Sequence, residues 1–118
     1  MSLFYRKFGS GEPLVILHGL FGSSINWNSI GKQLSTYFTV YLIDQRNHGK
    51  SFHSNVFDYD VLSKDLFDFI VENEIDKINL LGHSMGGKVA LRFSADHPEK
   101  MNNLIVVDIG LRKFEFKD

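Results

Sequence analysis

Ser84 is the residue of this sequence whose surroundings point most directly to chemistry. It is the centre of a Gly82-x-Ser84-x-Gly86 pattern that follows a short apolar run, residues 78–81, and precedes a helical pattern. A serine on a tight turn between a strand and a helix has a strained backbone, so its neighbours must be small. Such a turn would raise the hydroxyl above the edge of a sheet and place the Met85 N–H at a helix N-terminus, where partial positive charge stabilises an oxyanion. The spacing therefore predicts a nucleophilic serine.

The same stretch also resembles a phosphate-binding loop. Gly82, Gly87 and Lys88 fit the Walker A pattern, but Val89 stands where that pattern needs the Ser or Thr that binds Mg²⁺. A nucleotide-binding protein is therefore an alternative prediction. A third is a non-catalytic protein that keeps the same scaffold as an interaction surface, because a fold does not determine a function.

Composition narrows the class of protein. The 118 residues are 43% hydrophobic, which is enough for one domain, residues 1–118, with a real core. The net charge of −1 gives no electrostatic reason to expect nucleic acid or an anionic membrane as a partner.

There is no cysteine, which excludes disulfides and cysteine zinc sites and permits a reducing compartment. Residues 1–8 lack the apolar core of a signal peptide, and no apolar run approaches a membrane span. We therefore predict a cytoplasmic protein with no metal and no cofactor.

Hydrophobic periodicity predicts strands separated by helices. Residues 3–8 alternate apolar and polar side chains, as an edge strand does. A glycine-rich turn joins them to a buried strand at residues 14–17, so these two strands are predicted to form a hairpin. Further buried strands are predicted at residues 39–43, 77–82 and 104–107.

Three helices are predicted between these strands. The first is indicated by apolar residues at helical spacing over residues 27–38, with Asn26 as its N-cap. The second begins after Asp58, which is its predicted N-cap. The third begins after Ser84 and ends before Pro98.

This order predicts an α/β fold. Four buried strands that alternate with three helices indicate a mainly parallel sheet with helices on both faces and an N-terminal antiparallel edge strand. The carboxyl ends of parallel strands share one edge, where ligands of such sheets bind. Leu20, Arg46, Ser84 and Asp108 all follow predicted strand ends, so we expect them to converge there.

Three segments make the sequence resemble the α/β-hydrolase superfamily over nearly its whole length. They are, in order, His18-Gly19-Leu20-Phe21-Gly22, Asp44-x-Arg46-x-x-Gly49-x-Ser51 and Gly82-His83-Ser84-Met85-Gly86-Gly87. They are similar to the superfamily's oxyanion segment, its D-x-R-G-x-G-x-S loop and its nucleophile elbow. Their detailed forms are most similar to a carboxylesterase subgroup that includes the bacterial YbfF-type esterases and related mitochondrial hydrolases.

The resemblance implies a serine hydrolase that acts on small-molecule carboxylic esters through an acyl-enzyme. Ser84 would be the nucleophile, and the N–H groups of Leu20 and Met85 would form the oxyanion hole. Asp108 would be the acid, because the subgroup resembles those hydrolases whose acid follows the strand after the elbow helix. Residues 109–110 depart from the Ile-Ala-Pro expected there, and a polar strand end remains the alternative for Asp108.

The resemblance also implies that these residues are the N-terminal part of a single hydrolase domain. In the superfamily the catalytic histidine follows the acid and the last strand, whereas Asp118 comes after only the fourth parallel strand. Of the five histidines present, His18 is expected to bond the loop backbone and His48 to brace its own loop. We therefore expect a form without the catalytic histidine, the lid and the C-terminal strands. Alone it would be inactive and would associate with itself through an unpaired sheet edge at residues 104–107.

Overall fold

The computed structural model describes residues 2–107, which form one sheet and the helices that cover it. The strands in this range are β1 (Tyr5–Phe8), β2 (Glu12–Leu17), β3 (Phe38–Ile43), β4 (Ile78–His83) and β5 (Met101–Val107). The helices are α1 (Asn28–Leu34), α2 (Tyr59–Glu72) and α3 (Met85–Asp96), with short 3₁₀ helices at Ser24–Trp27 and Pro98–Lys100. None of the helices in the described range is long and apolar enough to cross a membrane.

The sheet is mainly parallel, as the alternation of elements predicted. Its order is β1-β3-β2-β4-β5, in which β3, β2, β4 and β5 run parallel and β1 pairs antiparallel with β3. β2 lies in the centre, and its last four residues are buried. The carboxyl ends of the four parallel strands therefore meet at one edge, and the predicted α/β class with an antiparallel edge strand is confirmed.

The predicted hairpin between residues 3–8 and 14–17 is wrong, because β3 lies between the two strands. The turn that joins β1 to β2 packs closely against the end of α1. A Cβ on Gly9 would lie 2.3 Å from the Ser35 carbonyl oxygen, and one on Gly11 would lie 2.7 Å from that of Tyr37. The chain thus passes the start of β3, and β1 and β2 flank that strand on opposite sides.

Helices cover both faces of the sheet, because successive strand side chains point to opposite faces. One buried cluster contains Val15, Leu17, Tyr41, Ile43, Ile78 and Leu80 together with apolar residues of α2 and α3. The other contains Leu14, Ile16, Val40, Leu42 and Leu81, with Trp27 and Leu34 packed on it from the side of α1. Each fully buried aliphatic side chain stabilises the fold by about 1.5–3 kcal/mol, so the two clusters hold the strand ends in fixed positions.

The predicted helix starts are right for α2 and wrong for α1. Asp58 caps α2, since its Oδ1 accepts the Val61 N–H at 2.9 Å. Asn26 instead belongs to the 3₁₀ turn before α1, where its Oδ1 accepts the Ser23 N–H at 2.9 Å. Phe38 is the first residue of β3. The apolar spacing continued from helix into strand because both pack on the same buried cluster.

β5 was predicted as a buried strand, but most of it is exposed. It pairs with β4 on one side, and no strand within residues 2–107 pairs with its other edge. Leu104 and Ile105 are 37% and 48% exposed. The apolar sequence identified the strand correctly, whereas its burial depends on what lies beside it.

Candidate functional site

Ser84 alone separates β4 from α3, and its backbone is strained. Its φ of 55° and ψ of −117° lie in a region that residues with a Cβ rarely adopt. The turn is held on both sides: the Ser84 N–H donates to the Val107 carbonyl oxygen at 3.1 Å, and the Ser84 carbonyl oxygen accepts the Gly87 N–H at 2.9 Å. One strained residue between a strand and a helix is the elbow that the sequence predicted. A Walker A segment instead has a loop of several residues that surrounds a phosphate, and no such loop lies between β4 and α3.

Gly82 and Gly86 allow this turn because their neighbours are backbone atoms. A Cβ on Gly82 would lie 2.2 Å from the Gly86 carbonyl oxygen, and a Cβ on Gly86 would lie 2.3 Å from the Leu17 carbonyl oxygen. These distances are far shorter than van der Waals contact, and packed backbone cannot move aside. The Gly-x-Ser-x-Gly spacing thus reflects the close approach of α3 to β4 and β2.

The segment after β2 lies directly against the elbow. A Cβ on Gly19 would lie 3.2 Å from the Ser84 Cβ and 3.1 Å from the His83 Nδ1. Met85 is the first residue of α3, so its N–H has no acceptor within the helix. The structure therefore brings together Ser84, Met85 and the segment that contains Leu20, as the sequence predicted for the carboxyl ends of β2 and β4.

The Leu20 N–H is oriented by hydrogen bonds to the other end of its own peptide group. The Gly19 carbonyl oxygen accepts the His18 Nδ1–H at 2.7 Å and the Gly22 N–H at 3.0 Å. The His18 Nε2 accepts the Gln45 N–H at 3.0 Å, which assigns the proton to Nδ1. Because the peptide is trans, the Leu20 N–H points away from the Gly19 carbonyl. No hydrogen bond within residues 2–107 occupies this N–H.

His48 supports the next peptide group of the same segment. Its Nε2 accepts the Phe21 N–H at 3.0 Å, and its Nδ1–H donates to the Arg46 carbonyl oxygen at 2.8 Å. Phe21 has a φ of 63°, a left-handed conformation that a non-glycine residue keeps only with outside support. The predicted roles of His18 and His48 as loop supports are confirmed. The bond from His48 to Phe21 was missed, because it joins two loops that are far apart in sequence.

Asp44 and Arg46 of the second motif have their partners within the fold. The buried Asp44 carboxylate accepts the Ser24 N–H at 2.6 Å and the Lys50 N–H at 2.9 Å. Burial alone would raise the pKa of Asp44, but these hydrogen bonds hold it below its ordinary value of 3.8. Arg46 makes two hydrogen bonds to the Asp65 carboxylate, at 2.6 and 2.8 Å. The motif therefore fixes the loop after β3, and the Arg46 side chain is held by Asp65 within the fold.

The predicted acid, Asp108, lies outside the described residues. Its predecessor Val107 is the last residue of β5 and accepts the hydrogen bond from Ser84. Of the remaining histidines, His97 stacks on Phe67 at the C-terminal end of α3, a helix of 12 residues with a length of about 18 Å. His53 is exposed in a polar pocket away from the elbow. Within residues 2–107, no group of three or more His, Asp or Glu side chains is arranged to bind a metal ion.

Two pockets flank residues 20–22. The first, which we call the tryptophan pocket, has a volume of about 360 Å³ and is lined by residues 19–22 with Asn26, Trp27, Ile30 and His83. The second, the His48 pocket, has a volume of about 350 Å³ and is lined by residues 20–22 with Asn47, His48, Gly49 and Phe57. Only the first includes residues that adjoin Ser84.

Known proteins with similar sequences cover most of this chain. The chain is 50% identical over 115 residues to the sn-1-specific diacylglycerol lipase ABHD11 of Danio rerio, a match that covers 93% of this chain and 36% of that protein. It is 40% identical over 103 residues to ethanol acetyltransferase 1 of Kluyveromyces marxianus, covering 86% of this chain and 28% of that protein. The chain thus spans about a third of the length of these relatives.

A solved structure and a family model also match most of this chain. The structure of a marine microorganism esterase superposes with a TM-score of 0.93 and is 52% identical, covering 98% of this chain and 44% of that one. The family model described as the alpha/beta hydrolase fold matches residues 12–116, nearly the whole sequence. The mainly parallel sheet and the helices that cover it thus match a known fold: this chain belongs to the α/β hydrolase fold family.

Proposed function

We propose that the chain carries the nucleophile and the oxyanion-binding groups of a serine esterase that acts on small-molecule carboxylic esters. The observation that carries this proposal is the strained Ser84 at the N-terminus of α3, beside an oriented Leu20 N–H. Strain of this kind costs about 1–3 kcal/mol and is concentrated at functional sites. The names of the relatives, a diacylglycerol lipase and an esterase, support the same class of reaction.

In the proposed reaction, the Ser84 Oγ attacks the ester carbonyl carbon while a general base accepts the hydroxyl proton. The carbonyl electron pair moves onto the oxygen, and the oxyanion accepts hydrogen bonds from the N–H groups of Leu20 and Met85. One such donor contributes about 3–4 kcal/mol to stabilising the transition state. Collapse of the intermediate expels the alcohol, which takes up the proton, and leaves the acyl group on Ser84. Water then attacks the acyl-enzyme by the same route and releases the carboxylic acid.

We infer that the general base is a histidine outside this sequence and that Asp108 is the acid. All five histidines of the sequence lie within residues 2–107. His18 and His48 already use both ring nitrogens in hydrogen bonds, and His97 lies at the far end of α3. The His83 ring packs edge-on against Trp27, and His53 lines a separate pocket. Support for the acid is that Asp108 directly follows Val107, the residue hydrogen-bonded to Ser84. The relatives are about three times as long as the stretch they share with this chain, which leaves room for a further segment.

Acyl transfer to an alcohol is a second candidate reaction, favoured by the identity to an ethanol acetyltransferase. An alcohol would attack the same acyl-enzyme in place of water, so no additional residue is needed. The products separate the two reactions. With ethanol added, hydrolysis yields the free acid, whereas acyl transfer yields the ethyl ester.

Labelling with a fluorophosphonate probe tests the proposed nucleophile. The probe should label the complete protein, and Ser84→Ala should abolish the label, whereas the exposed serine variant Ser10→Ala should retain it. A label that survives Ser84→Ala would refute the assignment. A folded complete protein that takes no label would favour the non-catalytic interaction protein instead. If ATP raises the melting temperature and this rise is absent in Lys88→Ala, nucleotide binding would be favoured.

Residues 1–118 alone test the proposal that the base lies elsewhere. Without a base the Ser84 hydroxyl keeps only its weak intrinsic nucleophilicity, so labelling should be slow. Free imidazole added as an external base should accelerate the labelling, and Ser84→Ala should remove that acceleration. A rate equal to that of the complete protein would require one of the five histidines present to serve as base.

A further inference from the structure

The tryptophan pocket opens beside the reacting serine. Gly19 lines the pocket, and it is also the residue whose added Cβ would lie 3.2 Å from the Ser84 Cβ. His83, the sequence neighbour of Ser84, forms a wall together with Trp27, with ring centroids 5.6 Å apart. A group that enters the pocket from the side of Gly19 therefore comes close to Ser84.

The lining of this pocket suits an uncharged, apolar group. Leu20, Phe21, Trp27 and Ile30 supply apolar surface, and Ile30 is 43% exposed there. No lining residue is an acid, a lysine or an arginine, and the Asn26 Oδ1 is already bonded to the backbone. A charged ligand group would lose its water there without gaining an oppositely charged partner. The volume of about 360 Å³ falls within the range of small-molecule sites.

We propose that the tryptophan pocket binds an alkyl chain of the ester substrate and that Ile30 limits the length of the chain it accepts. This proposal rests on the ester reaction proposed for Ser84. A chain held between Trp27 and Ile30 positions the attached carbonyl group beside the Leu20 N–H, which is the arrangement that attack by Ser84 requires. The His48 pocket fits less well, because its lining does not include Gly19 or His83.

Trp27 supplies the signal for a direct test, since it is the single tryptophan of the chain. The Ser84→Ala chain is used, so that binding is measured without turnover and whether or not Ser84 is reactive. The ligands are two isomers, ethyl ω-bromohexanoate and ω-bromohexyl acetate, which carry bromine at the end of the acyl chain or of the alcohol. Bromine quenches indole fluorescence at short range. Saturable quenching supports the proposal, and the isomer that quenches more strongly assigns the chain to the acyl or the alcohol side.

Variants separate this pocket from other binding sites. Ile30→Phe, which fills the pocket, should raise the dissociation constant at least about tenfold, whereas Ile30→Ala should improve binding of longer chains. Ile25→Phe is the matched control, because Ile25 is 60% exposed and does not line the pocket. Quenching that never saturates would overturn the proposal. So would equal changes in the dissociation constant for Ile30→Phe and Ile25→Phe, provided that both variants keep the circular dichroism spectrum of the parent chain. If binding is saturable but Ser84 is not labelled by a fluorophosphonate, the proposed alkyl-binding pocket is supported and the proposed esterase reaction is refuted.

Discussion

The backbone of Ser84, with φ 55° and ψ −117°, costs free energy that a glycine would avoid. Ser84→Gly is therefore expected to raise the free energy of unfolding by about 1 kcal/mol relative to Ser84→Ala, although both variants lack the proposed nucleophile. Alanine is the matched control because it keeps the Cβ. Urea unfolding measures the difference. Equal stability of the two variants would show that the relieved strain does not exceed the extra conformational entropy of glycine in the unfolded chain.

His48 is expected to act as a positioning residue for the oxyanion donor. His48→Leu removes the acceptor for the Phe21 N–H, so the left-handed Phe21 and the neighbouring Leu20 N–H lose their support. We expect the maximal rate of fluorophosphonate labelling in the complete protein to fall about tenfold, which corresponds to about 1.4 kcal/mol, the scale of one lost hydrogen bond.

The conservative variant His48→Gln separates this role from general destabilisation. Its Oε1 is long enough to replace Nε2 as acceptor, so the labelling rate should recover while the probe concentration at half saturation stays constant throughout. Identical rates for the leucine and glutamine variants would contradict a role through the Phe21 hydrogen bond.

At the scale of elements, the loops after β2 and β3 are joined through two buried titratable groups. His18 is 1% exposed, and burial lowers its pKa below the ordinary 6.5. The native state therefore binds fewer protons than the unfolded chain, and the stability present above pH 6.5 is lost as the pH falls towards the folded pKa. Asp44 has the same effect at lower pH, because its pKa is held below 3.8. Its contribution to the free energy of unfolding is present above pH 3.8 and is lost as the pH falls towards the folded pKa.

Urea unfolding over a pH series should therefore show two declines in the free energy of unfolding. Each group contributes a slope of up to about 1.4 kcal/mol per pH unit. His18→Gln should flatten the decline below pH 6.5 and leave the acidic one, whereas Asp44→Asn should flatten the one below pH 3.8. If the free energy of unfolding of His18→Gln falls below pH 6.5 with the wild-type slope, His18 is not the cause of this pH dependence.

The elements and the elbow could be predicted because their signals are local. Gly82 and Gly86 flank Ser84 in sequence, and the contacts that forbid a side chain at these glycines arise within the same turn or with the adjacent strand. Strand pairing and support across loops could not be predicted in this way. The place of β1 beside β3 depends on how the turn at Gly9 packs on Ser35, and the bond from His48 to Phe21 joins separate loops. Periodicity reports on a residue's own element and says nothing about its distant neighbours.

At the scale of the whole molecule, the two edges of the sheet differ in their protection. β1 has four residues, and two of them, Arg6 and Lys7, are charged. β5 has seven residues, none of them charged, and both Leu104 and Ile105 are exposed. Charges and short length discourage an edge strand from pairing with another chain, whereas a long apolar edge invites it. We propose that this chain associates with a second copy of itself through β5.

Ile105→Lys tests that association, because a charge on an edge strand opposes pairing. Size-exclusion chromatography with light scattering should show a mass that rises with concentration for the wild-type chain and stays monomeric for Ile105→Lys. Leu91→Lys is the matched control, since Leu91 on α3 is 43% exposed, close to the 48% of Ile105, and should leave the association unchanged. A wild-type chain that is monomeric at every concentration, or equal effects of the two lysines, would contradict pairing through β5. If a longer form that carries the further segment proposed above is monomeric where this chain dimerises, that segment covers the edge in place of the second copy.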